Sequence, residues 1–148
     1  MVDHVSPLRE LSRARCLDLL ATAGLGRVGV SVQALPVILP VRYAVIGETV
    51  VFRTAPGTKL TAAMRRSVVA FEADRWDPCG AWGWSVLVQG VASEVTDPPL
   101  QAAARGLLAN DLPFLDGEVA RVVAVEPAFL SGRAFGAIPE DPAWSLRR

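Results

Sequence analysis

The stretch Trp84-Ser85-Val86-Leu87-Val88-Gln89-Gly90-Val91-Ala92-Ser93-Glu94-Val95-Thr96 decides the fold. Its valines mark a β-strand, but it is too long for a flat strand with a glycine inside it. A bend or bulge at Gly90 would let one strand serve both sides of a closed sheet. The expectation is therefore a barrel, with this strand as its long shared member.

Working toward the N-terminus, Ser67-Val68-Val69-Ala70-Phe71-Glu72-Ala73-Asp74 is a second strand, joined to the first by a tryptophan-rich loop at residues 75–83. Val50-Val51-Phe52-Arg53-Thr54 is a third, rich in β-branched and aromatic residues. Two further strands, residues 26–32 and 37–45, form a hairpin through Gln33-Ala34-Leu35-Pro36. Pro40 lies inside the second of these and has no N–H for a sheet ladder, so it marks an edge or bulge where backbone groups can meet something else. Residues 11–23 are a helix: Ser12 is placed to cap it, Leu11 and Cys16 to staple it, and Gly24 follows at C′.

Toward the C-terminus, Asp97-Pro98-Pro99 caps and opens a helix through Leu108. Residues 119–126 are a last strand, and residues 129–135 read as a further turn. The sum is one α+β, β-dominated domain over residues 1–148, with about six strands and two or three short helices. Residues 1–10 and 139–148 are expected to be loose tails.

The composition is 51% hydrophobic and 20% charged, with zero formal net charge. A full core is within reach. A balanced charge supplies no general field for nucleic acid or an anionic membrane, so any anion site must be local. The expected partner is a small molecule or another copy of the chain. No apolar run reaches the length of a membrane span, and the N-terminus lacks a basic segment followed by a hydrophobic one; a soluble, cytoplasmic protein is expected. Cys16 and Cys79 lie far apart without metal-ligand spacing, Cys16 as core and Cys79 in a loop.

The local anion site suggested by the sequence is Val50 to Arg66, read as strand, tight turn, helix. Pro56-Gly57 makes the turn, Thr58 stands at the N-cap, and Leu60, Ala63 and Met64 follow at helical spacing. Unpaired N–H groups there would meet the Thr58 hydroxyl, the Lys59 ammonium and the Arg53 guanidinium, a set suited to phosphate. The alternative is a solvated turn with ordinary surface cations. Neither G-x-x-x-x-G-K-[ST] nor G-x-G-x-x-G occurs, which removes the support for nucleoside triphosphate and Rossmann readings.

Other chemistries have less to offer. Gly83-Trp84-Ser85-Val86 lacks the second glycine of a nucleophile elbow, and the one histidine, His4, lies in a terminal tail, so hydrolysis is not expected. One histidine and scattered carboxylates give no metal site. Glu72 and Asp74 share a strand face and read as a solvated sheet surface. Trp76, Trp82 and Trp84 are core residues, interface anchors or pocket walls for a planar ligand.

In this order, Leu11-Ser12 with Leu19-Leu20, Gly26-Arg27-Val28, Pro36 with Leu39-Pro40-Val41-Arg42-Tyr43, Phe52-Arg53-Thr54-Ala55-Pro56-Gly57-Thr58-Lys59, Val69-Ala70-Phe71-Glu72, residues 83–90 and Ser131-Gly132-Arg133 carry a resemblance over most of the chain. The sequence resembles the pyridoxamine 5′-phosphate oxidase-like split-barrel flavoproteins, in particular their short, nitroimidazole-reductase-like branch. The resemblance implies a six-stranded Greek-key split β-barrel with flanking helices, a homodimer, and FMN at the subunit interface. It implies that Arg53, Thr58 and Lys59 hold the FMN phosphate, with Phe52 and Thr54 in the same motif. Pro40, Val41, Arg42 and Tyr43 would line the isoalloxazine, and Trp84 and Ser85 would approach from the neighbouring strand or the partner subunit.

The implied activity is that of an FMN-dependent oxidoreductase acting on a small organic molecule, with a nicotinamide electron donor and the flavin itself carrying the chemistry. A deazaflavin-dependent reductase and a non-catalytic flavin- or haem-binding protein are the alternatives. Two departures bear on this. Many relatives carry Asn where this chain has Arg42, and a guanidinium beside the ring would stabilise the reduced anionic flavin or occupy a substrate's place. The C-terminal substrate motif of the vitamin B6 oxidases is not evident in Ala143-Trp144-Ser145-Leu146-Arg147-Arg148, so pyridoxamine phosphate oxidation is not expected.

Overall fold

The computed structural model describes residues 7–54, 59–109 and 121–140, with the backbone alone at 59–61. In chain order the elements are β1 (Arg9–Glu10), α1 (Arg13–Ala23), β2 (Leu25–Val32), β3 (Leu35–Ile46), β4 (Thr49–Thr54), α2 (Lys59–Met64), β5 (Val68–Trp76), β6 (Gly83–Glu94), α3 (Pro98–Leu107), β7 (Arg121–Val125) and β8 (Phe129–Phe135). The strand order is β1-β8-β6-β5-β2-β3-β4-β7, and an additional β6–β7 pairing closes six strands into an antiparallel barrel.

The two 12-residue strands, β3 and β6, each belong to two sheets. β3 pairs with β2 over Leu35–Arg42 and with β4 over Tyr43–Ile46. β6 pairs with β8 over Gly83–Gln89 and with β7 over Ala92–Glu94. Gly90 stands at this change of partner. An added Cβ there would lie 2.0 Å from the Glu126 carbonyl oxygen, because the chain crosses from β7 to β8 directly over it. No bulge is needed: the ladder to β5 runs in register through Val69↔Gly90 and Val68↔Val91.

The barrel interior is filled by Val28, Val30, Phe52, Phe71, Val86, Val88 and their neighbours. α1 packs into the same core through Cys16, Leu19 and Leu20. Its ends follow the sequence: Ser12 accepts from the Arg15 N–H at 3.2 Å, and Gly24 sits at φ 76°. α3, opened by Asp97 accepting from the Leu100 N–H, forms a second, smaller core with Val51, Val95, Val122 and Ala124 on the outside of β4 and β7.

Three expectations change. The N-terminal tail is not loose throughout, since Arg9 and Glu10 pair with Ala134 and Arg133. Residues 129–135 form strand β8 rather than a turn. Gly132, which disguises that strand, is required because α1 crosses so closely that a Cβ would lie 2.6 Å from the Cys16 Sγ. The β2–β3 hairpin turns through only Gln33 and Ala34, both at positive φ, without the Asn-Gly or Gly-containing pair that usually announces such a turn.

Gly90→Ala tests the crossover. The clash is with backbone, which cannot move aside as a side chain would, so a loss of about 3 kcal/mol, or roughly 6–12 °C in Tm, is expected. A thermal midpoint within 2 °C of the parent would contradict the described crossing.

Candidate functional site at the split of the barrel

Beyond the pair Tyr43↔Phe52, β3 and β4 part company. β3 follows β2 back to Leu35, while β4 follows β7 through Arg53↔Val122 and Thr54↔Arg121. The separation leaves a notch with residues 36–42 on one wall and the end of β4, leading into residues 55–58, on the other. The ring-lining stretch expected from the sequence thus lies across from Arg53 and Thr54, while residues 55–58 of the expected phosphate turn lie outside the described residues.

The backbone of the β3 wall has a definite direction. The Tyr43 N–H donates to the Gly24 carbonyl at 3.1 Å, toward the β2 side. Amide direction alternates along a strand, so positions 36, 38 and 40 point the other way, into the notch. Pro36 and Pro40 place ring carbons there instead of donors, and Ile38 supplies an N–H between them. This spacing of two prolines four residues apart was the available sequence signal for an open edge, and Pro40 carried half of it.

Side chains alternate as well. Pro40 and Arg42 are exposed on the outer face, whereas Val41 is half-buried and packs against the core. Tyr43 is a core residue: its hydroxyl donates to the Leu20 carbonyl at 2.5 Å, and its ring meets Phe71 edge-on at 4.7 Å. Burial pushes its hydroxyl pKa far above the ordinary tyrosine value. Neither the Tyr43 side chain nor its N–H, which is spent on Gly24, is directed at the notch.

On the opposite wall, Phe52 is fully buried in the barrel. Arg53 and Thr54 fall on opposite faces of β4. Arg53 points under α3, with Nη1 3.5 Å from the Leu108 carbonyl, where a cation suits the helix C-terminus. Thr54 faces the barrel side, 8% exposed, and its buried hydroxyl has no hydrogen-bond partner among the described residues. A buried hydroxyl without a partner is costly, so a polar group arriving at this turn would relieve it. Thr58 and the Lys59 side chain lie outside the described residues. α2 is only six residues long, so side chains rather than a helix macrodipole must supply most of any attraction for an anion there.

Trp84 and Ser85 are not brought to the notch within one subunit. Trp84 is buried in the barrel core with its Nε1 unpartnered among the described residues. Ser85 pairs with Asp74 on β5, and three inter-strand steps separate β6 from β3, about 14 Å. Trp82 packs at the edge of the core, and Trp76 is exposed against Phe135 at 5.2 Å. Across the outer face of the same sheet, Arg27 bridges Glu72 at 3.2 Å and Asp74 at 3.5 Å. Burial first, and then the Asp74 charge, raise the Glu72 carboxyl above its ordinary range despite Arg27.

Residues 12–134 match the family model for pyridoxamine 5′-phosphate oxidase. The chain belongs to this family. A curated relative, the uncharacterised Rv0080 protein of Mycobacterium tuberculosis, is 41% identical over 128 residues, covering 83% of this chain and 82% of that one. The solved FAD binding protein of Mycobacterium smegmatis is 40% identical and superposes with a TM-score of 0.72, over 86% of this chain and 98% of its own. A FAD-binding protein of Mesorhizobium loti shares the fold at 22% identity and a TM-score of 0.76, covering 86% of this chain and 97% of that one. Among the described residues no helix is long and apolar enough to cross a membrane.

The Glu72 site gives a pH test of the outer face in this family member. Both Glu72 in the unfolded chain and its protonated folded form are neutral at low pH, where Gln is an isosteric mimic. As pH rises through the raised folded pKa, the folded state bears a charge it holds less well than the unfolded chain does. Glu72→Gln should therefore gain stability relative to the parent between about pH 4 and pH 7 in paired denaturant titrations. A relative loss over that interval would show that the Arg27 ion pair outweighs burial.

Proposed function

We propose that this chain is a flavin-binding protein whose notch between β3 and β4 holds the cofactor, and that it acts as a flavin-dependent oxidoreductase on a small organic molecule. The observation that carries the reading is the opening of the barrel at Tyr43↔Phe52, where β3 beyond Tyr43 has one edge without a strand partner among the described residues and the end of β4 carries an unpartnered buried Thr54 hydroxyl. The open edge of β3 presents the Ile38 N–H and neighbouring carbonyls to the hydrogen-bonding rim of an isoalloxazine. Thr54, Thr58 and Lys59 supply donors for its phosphate, and Arg53 supports the turn from the α3 side.

The FAD binding protein of Mycobacterium smegmatis, 40% identical to this chain, favours a flavin as the cofactor; FMN and FAD present the same ring and first phosphate to these residues. The flavin supplies the hydride or electron transfer, and the chain binds it, orients it and limits water at the ring. A nicotinamide donor is the reductant we assign. The cytoplasm is the compartment that fits this chemistry.

The cofactor site is completed by a second copy in this reading. The outer face of the β8-β6-β5-β2-β3 sheet is covered by no helix among the described residues, and Ile38, Val68 and Phe129 are 72%, 73% and 71% exposed on it. Gly29, Ala70 and Gln89 lie between Ile38 and Phe129 in one cross-strand row. An apolar row of this kind, bordered by the Arg27, Glu72 and Asp74 charges, fits its own image across a two-fold axis, and would bring Ser85 of the second subunit toward the first subunit's notch.

The test is an absorption spectrum after FMN or FAD addition and desalting, with light scattering on the same sample. A retained flavin band at two per dimer is expected. Lys59→Ala should weaken FMN by about 1.5–3 kcal/mol, the range for a hydrogen bond to a charged group, while riboflavin binds nearly as before. A colourless monomer, or equal losses for FMN and riboflavin, would contradict the assignment.

A further inference from the structure

At the C-terminal end of α2, Arg65, Arg66, Ser93, Glu94 and Thr96 line a cleft of about 490 Å³. A small adjoining recess shares Arg65, Ser93 and Glu94 and adds Met64, Arg121 and Val123. The volume is in the range that takes small molecules, about 300–1,000 Å³. Three arginines face one carboxylate, so the formal count of three positive charges less one negative leaves two in excess.

Glu94 is already shared, with Arg121 at 2.9 Å and Arg65 at 3.6 Å. Among the described residues the Arg66 side chain makes no ion pair or hydrogen bond. Its backbone is fixed, since its N–H donates to the Ala92 carbonyl at 2.9 Å and holds it at φ 54°. That left-handed position, two residues past α2, is one a glycine would occupy without strain. The chain carries a guanidinium there instead, posed over a cationic cleft. An exception to local backbone preference is the kind found at functional sites.

We infer that this cleft binds the ADP moiety of a dinucleotide. Planar guanidinium groups pair with pyrophosphate oxygens two at a time and stack on purine rings, and Ser93 and Thr96 add hydroxyls for a ribose. Arg121 of the recess is the register partner of Thr54, so the cleft lies beside the end of β4 assigned to the flavin phosphate. The ADP moiety comes either from FAD itself or from the nicotinamide donor; this pairing of sources rests on the flavin reading above, whereas the cleft's preference for ADP does not.

The experiment is calorimetric titration of the full chain with ADP, adenosine and FMN, for the parent and for Arg66→Gly. Glycine suits φ 54°, so Arg66→Gly should fold with an unchanged or higher Tm. The expected result is that ADP binds the parent at least tenfold more tightly than adenosine does, that Arg66→Gly loses tenfold or more for ADP, and that FMN affinity is unaltered. ADP that displaces FAD but not FMN identifies the flavin as the source. ADP that binds beside FMN and competes with NADPH identifies the donor. Absence of ADP binding, equal ADP affinity in Arg66→Gly, or competition with neither dinucleotide would overturn the inference. FMN binding in the same series reports separately on the flavin site.

Discussion

The structure depends on two strands, each serving two sheets. A closed six-stranded barrel with uniform ladders would have no free edge and no opening. Here β3 changes partner at Tyr43 and β6 at Gly90, so the closure is offset. At Gly90 the offset is filled by the chain itself, with the Glu126 carbonyl resting where a side chain would be. At Tyr43 the β3–β4 ladder stops, and β3 over residues 35–42 keeps one edge without a strand partner among the described residues. One crossover is packed by the chain itself, and the other leaves a strand edge unpaired among the described residues.

The core holds that opening in place. Tyr43, the last β3 residue before the split, is tied to α1 through Leu20 and to β5 through Phe71. Phe52, its register partner, is fully buried. The notch therefore begins at one of the most tightly fixed pairs in the barrel, and the residues past it need not carry the fold. Thr54, paired with Arg121 on β7, still carries a buried hydroxyl without a partner among the described residues.

Much of this was legible in the chain. Gly90 within a long valine-rich stretch announced the shared strand, Pro40 announced an interrupted ladder, and Ser12, Gly24 and Asp97 marked their helix ends. What the sequence hid was of two kinds. β8 was masked by Gly132, which serves a helix contact invisible in one dimension, and β1 is too short to have any period. Arg53 and Thr54 are adjacent, so a linear motif groups them, yet strand alternation sends them to opposite faces. The cationic cleft was hidden for a related reason: Arg65, Arg66, Glu94 and Arg121 come from three elements that only the closed barrel brings together.

The central claim is that the open edge of β3 receives the flavin ring. Hydrogen exchange of the backbone, measured by mass spectrometry with and without FMN, tests it most directly. The account predicts that a peptide spanning residues 36–42 becomes protected on FMN addition, through the Ile38 amide, while a peptide from the already paired β5 is unchanged. FMN binding without any slowing of exchange in residues 36–42 would contradict it.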